Sequence, residues 1–180
     1  MKNMIKNILL SLSICLLLAP LLSTFAANEE RDLQAVFLGR FAKFIEWPDH
    51  NREQFIITLI DENPFDNLLD DLYRDKNIHN KSIEIRYVTH IDEIKDTDIL
   101  FITLENPSEV EKVIKYAQQQ SILTISELRG FAQRGGIIQL NFVMQKTQLK
   151  INYDSALKSK IKISSPLLAI AQQVIKGEVQ

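Results

Sequence analysis

Beyond residue 26 the chain contains no cysteine, because Cys15 is its only one. Disulfide stapling and thiolate metal sites are therefore excluded from the body of the protein, which must be held by its apolar core. The three histidines, His50, His79 and His90, are spaced so that no two share a helical face. With five glycines in all, there is no G-x-G-x-x-G turn after a strand, no Walker-type phosphate loop and no G-x-S-x-G elbow. No catalytic constellation, cofactor site or metal site is expected. Also missing are a Gly/Ser/Pro-rich linker, a low-complexity tract and a repeat, which argues for one domain. No excess of basic charge is present either. Twenty-one basic residues face 23 acidic ones, a formal charge of −2, so nucleic acid is not an expected partner.

The amino terminus reads as an export leader. Lys2 and Lys6 form a short positive region, residues 8–22 are almost wholly apolar, and Thr24-Phe25-Ala26 places small residues at a cleavage site. The expected division is 1–26 as signal peptide and 27–180 as the domain, with cleavage between Ala26 and Ala27. The apolar run of about fifteen residues is short of the ~20 that span a bilayer. Ile14 before Cys15, and the apolar run continuing beyond it, argue against a lipid anchor. Losing Lys2 and Lys6 takes the formal charge from −2 to −4.

Leu33, Val36, Phe37, Phe41, Phe44 and Ile45 recur with a helical period. They predict a first helix that Pro48 ends at Trp47, with the indole as a core plug. The pattern then alternates. Strand-like runs at 54–60, 82–88, 98–104 and 121–125 are interleaved with a short helix (Phe65, Leu68, Leu69, Leu72) and a longer one from Pro107 (Val110, Val113, Ile114, Ala117). Runs at 137–143 and 147–153 around Met144-Gln145-Lys146 predict a hairpin, and a final helix from Ser165 or Pro166 is expected to carry Leu167 through Ile175 and stop at Gly177. The fold class that follows is α/β: a single domain with a mainly parallel sheet, helices on both faces and an antiparallel C-terminal hairpin. Asp61, Glu62 and Asp66 follow the first strand, where open α/β sheets bind ligands. Arg134-Gly135-Gly136 reads as a turn, or as a contact beside Ser126 and Phe131.

Five pieces in order carry a family resemblance. They are the first helix ending in Glu46-Trp47-Pro48; Asn63-Pro64-Phe65; Ile99-Leu100-Phe101-Ile102; Leu123-Thr124-Ile125-Ser126 leading to Gly135-Gly136-Ile137-Ile138; and Leu149-Lys150-Ile151-Asn152-Tyr153 leading to Ser164-Ser165-Pro166-Leu167-Leu168. Together they resemble the YfiR-like periplasmic proteins. The resemblance implies a non-catalytic repressor that binds the periplasmic sensory part of an inner-membrane diguanylate cyclase and lowers cyclic di-GMP and biofilm formation. An outer-membrane, peptidoglycan-linked lipoprotein would relieve the block, and a homodimer stays open. Redox control through disulfides, known among relatives, is not available to this chain. For the partner surface the residues chosen are Arg40 and Lys43 on the polar side of the first helix, and Arg134. The alternative is a periplasmic small-molecule-binding sensory domain using the crevice at the sheet's carboxyl ends.

Amino-terminal sequencing of the envelope form should begin at Ala27. A protein that retains Met1 in that fraction would overturn the cleavage assignment.

Overall fold

Apolar runs that alternate toward two faces need cover on both sides, and the chain supplies it. The computed structural model describes residues 28–48, 52–143 and 146–177; the leader, His50 and Met144-Gln145 lie outside the described residues. In chain order the elements are helix α1 (28–42), β1 (Ile45–Glu46), β2 (Gln54–Ile60), α2 (Leu68–Tyr73), β3 (Asn77–Ile78), β4 (Lys81–Val88), β5 (Ile99–Ile102), α3 (Pro107–Gln119), β6 (Leu123–Ser126), β7 (Ile138–Val143), β8 (Lys146–Asn152), α4 (Tyr153–Lys158), β9 (Lys162–Ile163), α5 (Ser165–Ala169) and β10 (Gln173–Ile175). Eight strands form one sheet in the order β10-β8-β7-β6-β5-β2-β4-β3, and β1 pairs with β9 in a separate ribbon. The run β4-β2-β5-β6-β7 is parallel throughout, whereas β7–β8 is the expected antiparallel hairpin. The α/β reading therefore holds.

Strand alternation divides the core into two layers. Ile57, Leu59, Ile99, Phe101, Leu123 and Ile125 face α1, α2, α4 and α5, in a cluster with Leu38, Phe41, Leu69, Ala156 and Leu167. Leu100, Ile102 and Ile60 face the other way, against Val110, Val113, Ile114 and Ala117 of α3 and against Phe131. The Asn106 side chain caps α3 by accepting from the Ser108 N–H at 3.0 Å, and Pro107 fills its first turn. At Gly136 a Cβ would come within 2.1 Å of the Phe131 ring, so glycine there allows close approach. Its neighbour Gly135, at φ 100°, supplies the turn.

Three sequence expectations shift. The first helix stops at residue 42, not at Trp47, because Ile45 and Glu46 are drawn into antiparallel pairing with Ile163 and Lys162. Its buried face is also rotated: Ala35, Leu38, Phe41 and Ala42 are enclosed, while Leu33 is 40% exposed. The final helix covers only Ser165–Ala169. Val174 and Ile175 instead form a strand parallel to β8, opposite Ile151 and Asn152. The open edge of β8 offers backbone hydrogen bonds that a further helical turn could not use, and β-branched side chains suit a strand. Pro166 does sit in the first turn of the short helix.

The firmest tie between α1 and α2 is a phenol. The Tyr73 hydroxyl accepts from the Gly39 N–H at 2.8 Å and donates to the Ala35 carbonyl at 2.7 Å, two groups that an undisturbed helix would pair with each other. A Cβ at Gly39 would lie 2.6 Å from the Tyr73 ring. Burial pushes the phenol pKa from its ordinary 10.0 up to about 12. The folded state then holds this proton more tightly than the unfolded chain does. The contribution is intact below about pH 10 and is lost as the pH rises toward about 12. Urea midpoints of the wild type should therefore fall more steeply above about pH 10 than those of Tyr73→Phe, which cannot ionise. Parallel declines would refute it.

Candidate functional site

Three concavities border the parallel strands. The first lies at their carboxyl ends, where the strand order reverses between β2 and β5, the place at which open α/β sheets hold ligands. It is about 240 Å³, lined by Ile60, Thr89, His90, Leu104, Glu109 and Lys112 among others. The Glu93 carboxylate accepts the N–H groups of Thr89 and His90 at 2.8 and 2.9 Å, which fixes this wall and lowers the Glu93 pKa. The Thr103 hydroxyl donates to the Ile60 carbonyl at 2.8 Å. Asp61, Glu62 and Asp66 are not among its lining residues: all three are exposed, and Asp66 pairs with Arg31 at 3.1 Å.

The second, about 320 Å³, sits at the amino ends of the strands between Trp47, Phe55, His79, Lys81 and Asp98. Trp47 is half-buried here. Its Nε1 donates to the Asp98 carbonyl at 3.2 Å, and its ring meets Phe55 edge-on at 5.4 Å and His79 at 5.9 Å. The expected core plug is thus the wall of a crevice. The Asp98 carboxylate accepts the Ile56 N–H at 2.8 Å and pairs with Arg52 at 3.0 Å. Burial raises its pKa in spite of those partners. His79 and Asn80 both take positive φ in the β3–β4 turn, as a type I′ hairpin requires, and this brings His79 Nε2 to 3.1 Å from the Ala42 carbonyl. Every group in this network has a partner, which marks a structural brace.

The third is the largest at about 460 Å³ and runs between α1, α2 and the β3–β4 edge. Val36, Leu72, Ile78 and Ile83 form an apolar floor beside Gly39 and Tyr73, and Arg40, Lys43 and Lys76 stand on the rim. Arg40 and Lys43, singled out from sequence, are brought together here and both are exposed. Arg134 is not with them. It is exposed on the α3 side of the sheet, donating to the Arg129 carbonyl at 3.2 Å, next to Gly135, whose nearest neighbours are Ile114 and Gln118. Sequence reasoning missed Lys76 and Tyr73. The available signal was Gly39, a glycine inside a helical pattern that marks a close approach.

Among the described residues no group of three or more His, Cys, Asp or Glu side chains could hold a metal, and no helix is long and apolar enough to cross a membrane. Among the described residues the arrangement offers three concavities that could serve as binding surfaces.

Comparison with known proteins is consistent with this geometry. Residues 31–172 match the profile of a domain family described as YfiR/HmsC-like. A search of curated proteins returns no match. Two solved structures share the fold. One is a conserved domain protein from Vibrio cholerae, with a TM-score of 0.56, 14% identity, and 81% of this chain and 60% of that one covered. The other is the ABC domain in complex with L-Trp from Streptococcus pneumonia, with a TM-score of 0.55, 14% identity, and 78% and 60% covered. The chain thus spans 60% of the length of both.

Trp47→Ala should destabilise the domain by about 2–3 kcal/mol, less than the ~3–5 of a fully buried ring. Urea denaturation measures it; an unchanged midpoint would show that the indole braces nothing.

Proposed function

Because the chain belongs to the YfiR/HmsC-like family, which regulates diguanylate cyclase signalling from the periplasm, we propose that it is an exported, non-catalytic repressor of such a cyclase. The family match over residues 31–172 carries this reading. The leader at 1–26 supports export. Its target is the periplasmic sensory part of an inner-membrane diguanylate cyclase. An outer-membrane, peptidoglycan-linked lipoprotein competes for the repressor and relieves the block.

Repression requires that the protein bind the inactive conformation of the cyclase more tightly than the active one. Driving an enzyme from mostly active to mostly inactive takes a preference of about 10⁴-fold. A surface that recognises one arrangement of a partner must itself be rigid, and the α1–α2 groove is pinned by the Tyr73 hydroxyl at both ends of its hydrogen bonds. Arg40 and Lys43 on that rim are the partner-binding residues of this proposal; Arg134, on the other side of the sheet, would serve a second contact.

A second reading is favoured by one observation. The crevice at the order reversal, with Ile60 and Leu104 below and His90, Glu109 and Lys112 at its mouth, has the position of a small-molecule site. A periplasmic sensory domain would use it.

Deleting the gene should raise cellular cyclic di-GMP and surface attachment severalfold, and an exported copy should restore both. A copy lacking residues 2–26 should not complement. Cyclic di-GMP that stays unchanged in the deletion strain, while the protein is normally expressed, would favour the sensory-domain reading.

A further inference from the structure

We infer that the α1–α2 groove is a docking site for an acidic protein segment that inserts apolar side chains between Arg40, Lys43 and Lys76. This deepens the repressor reading and rests on it for the identity of the partner.

Four of its seven arginines are neutralised in place: Arg31 by Asp66, Arg52 by Asp98, Arg74 by Asp71 and Arg86 by Glu84. The carboxylates of α2 are committed as well, since Asp71 holds Arg74 and Asp70 accepts the Tyr87 hydroxyl at 2.6 Å. Among the described residues Arg40 and Lys43 have no ion-pair partner, and the ammonium of Lys76 rests 5.8 Å over the Tyr73 ring. A protein with more acidic than basic residues thus keeps three cations unneutralised around one concavity.

The floor between them is apolar. Val36, Leu72 and Ile83 are only half-buried, and the volume of about 460 Å³ falls inside the range of ligand clefts. A free anion would satisfy the rim and waste the floor, whereas a neutral apolar peptide would leave three cations partly desolvated. A segment with Asp or Glu flanking one or two apolar side chains answers both. Such charge complementarity steers encounter and fixes register. The groove is preorganised, because the Tyr73 hydroxyl ties α2 to α1 at Gly39 and Ala35.

The test places p-benzoylphenylalanine at Asn77, an exposed residue lining the groove, in the full chain expressed in its own host, with exposed Val143 as the comparison position. After irradiation the cross-linked product is sequenced by mass spectrometry. An acidic segment of a membrane cyclase, captured from position 77, is expected. Arg40→Glu with Lys43→Glu should cut its yield about tenfold at an unchanged melting temperature, and the two Gln substitutions should cut it less. An acidic segment of some other protein would support the groove and overturn the cyclase reading. Capture of the cyclase from position 143 alone would overturn the groove and leave repression standing. A phospholipid adduct, a basic or uncharged segment, no product from position 77, or a yield indifferent to charge reversal would each overturn the groove.

Discussion

The Tyr73 hydroxyl stands inside the backbone ladder of another helix, and much of the molecule depends on that intrusion. By accepting from the Gly39 N–H and donating to the Ala35 carbonyl, it makes two hydrogen bonds between elements at the very groups a helix pairs with each other. The contact is available only because residue 39 lacks a side chain. It fixes the distance between α1 and α2, and so the width of the groove. It also sets α1 on the sheet with Leu38 and Phe41 inward and with Arg40 and Lys43 outward. Substituting alanine at 39 would drive a methyl group into the ring; overpacking of this type costs about 1–3 kcal/mol.

Much of the fold was legible because burial on both faces leaves a strong pattern. The uninterrupted Ile99-Leu100-Phe101-Ile102 could hardly be anything but a central strand, and Asn106-Pro107 before Val110 is a helix start with a mechanism. The misread elements were those decided by distant partners. Ile45 and Glu46 are as compatible with a helix as with a strand, and only Ile163 and Lys162, more than a hundred residues later, decide it. Val174 and Ile175 were likewise assigned by the vacancy beside β8, which local periodicity does not register. The rotation of α1 by one position has a plainer cause. The stripe of large residues led to Leu33 and Phe37, but the sheet accepts the small Ala35 and Ala42, which let the helix approach.

For the candidate site the division is similar. Arg40 and Lys43 could be chosen from sequence as the polar side of a helix, because a helical period assigns sides before any neighbour is known. Lys76 and the Leu72, Ile78 and Ile83 part of the floor belong to other elements, and their convergence is a tertiary fact. The resulting surface is a charged rim about an apolar centre, held on a rigid frame. That suits a protein whose family acts by association. The Trp47–Asp98–Arg52 brace at the amino ends of the strands is a separate unit that secures the passage from α1 into the sheet.

The parallel strand β10 closes the sheet with three residues at the far end of the chain, just past the family-matched region that ends at 172. A polypeptide emerging amino-terminus first completes β8 well before that closing segment arrives. For the interval, one flank of the sheet is bare backbone, open to any extended chain nearby. The final ladder therefore covers a margin that β8 would otherwise present unpaired. Without Gln173–Ile175 that margin would be open to any extended segment nearby, so three residues guard the whole flank against adventitious pairing.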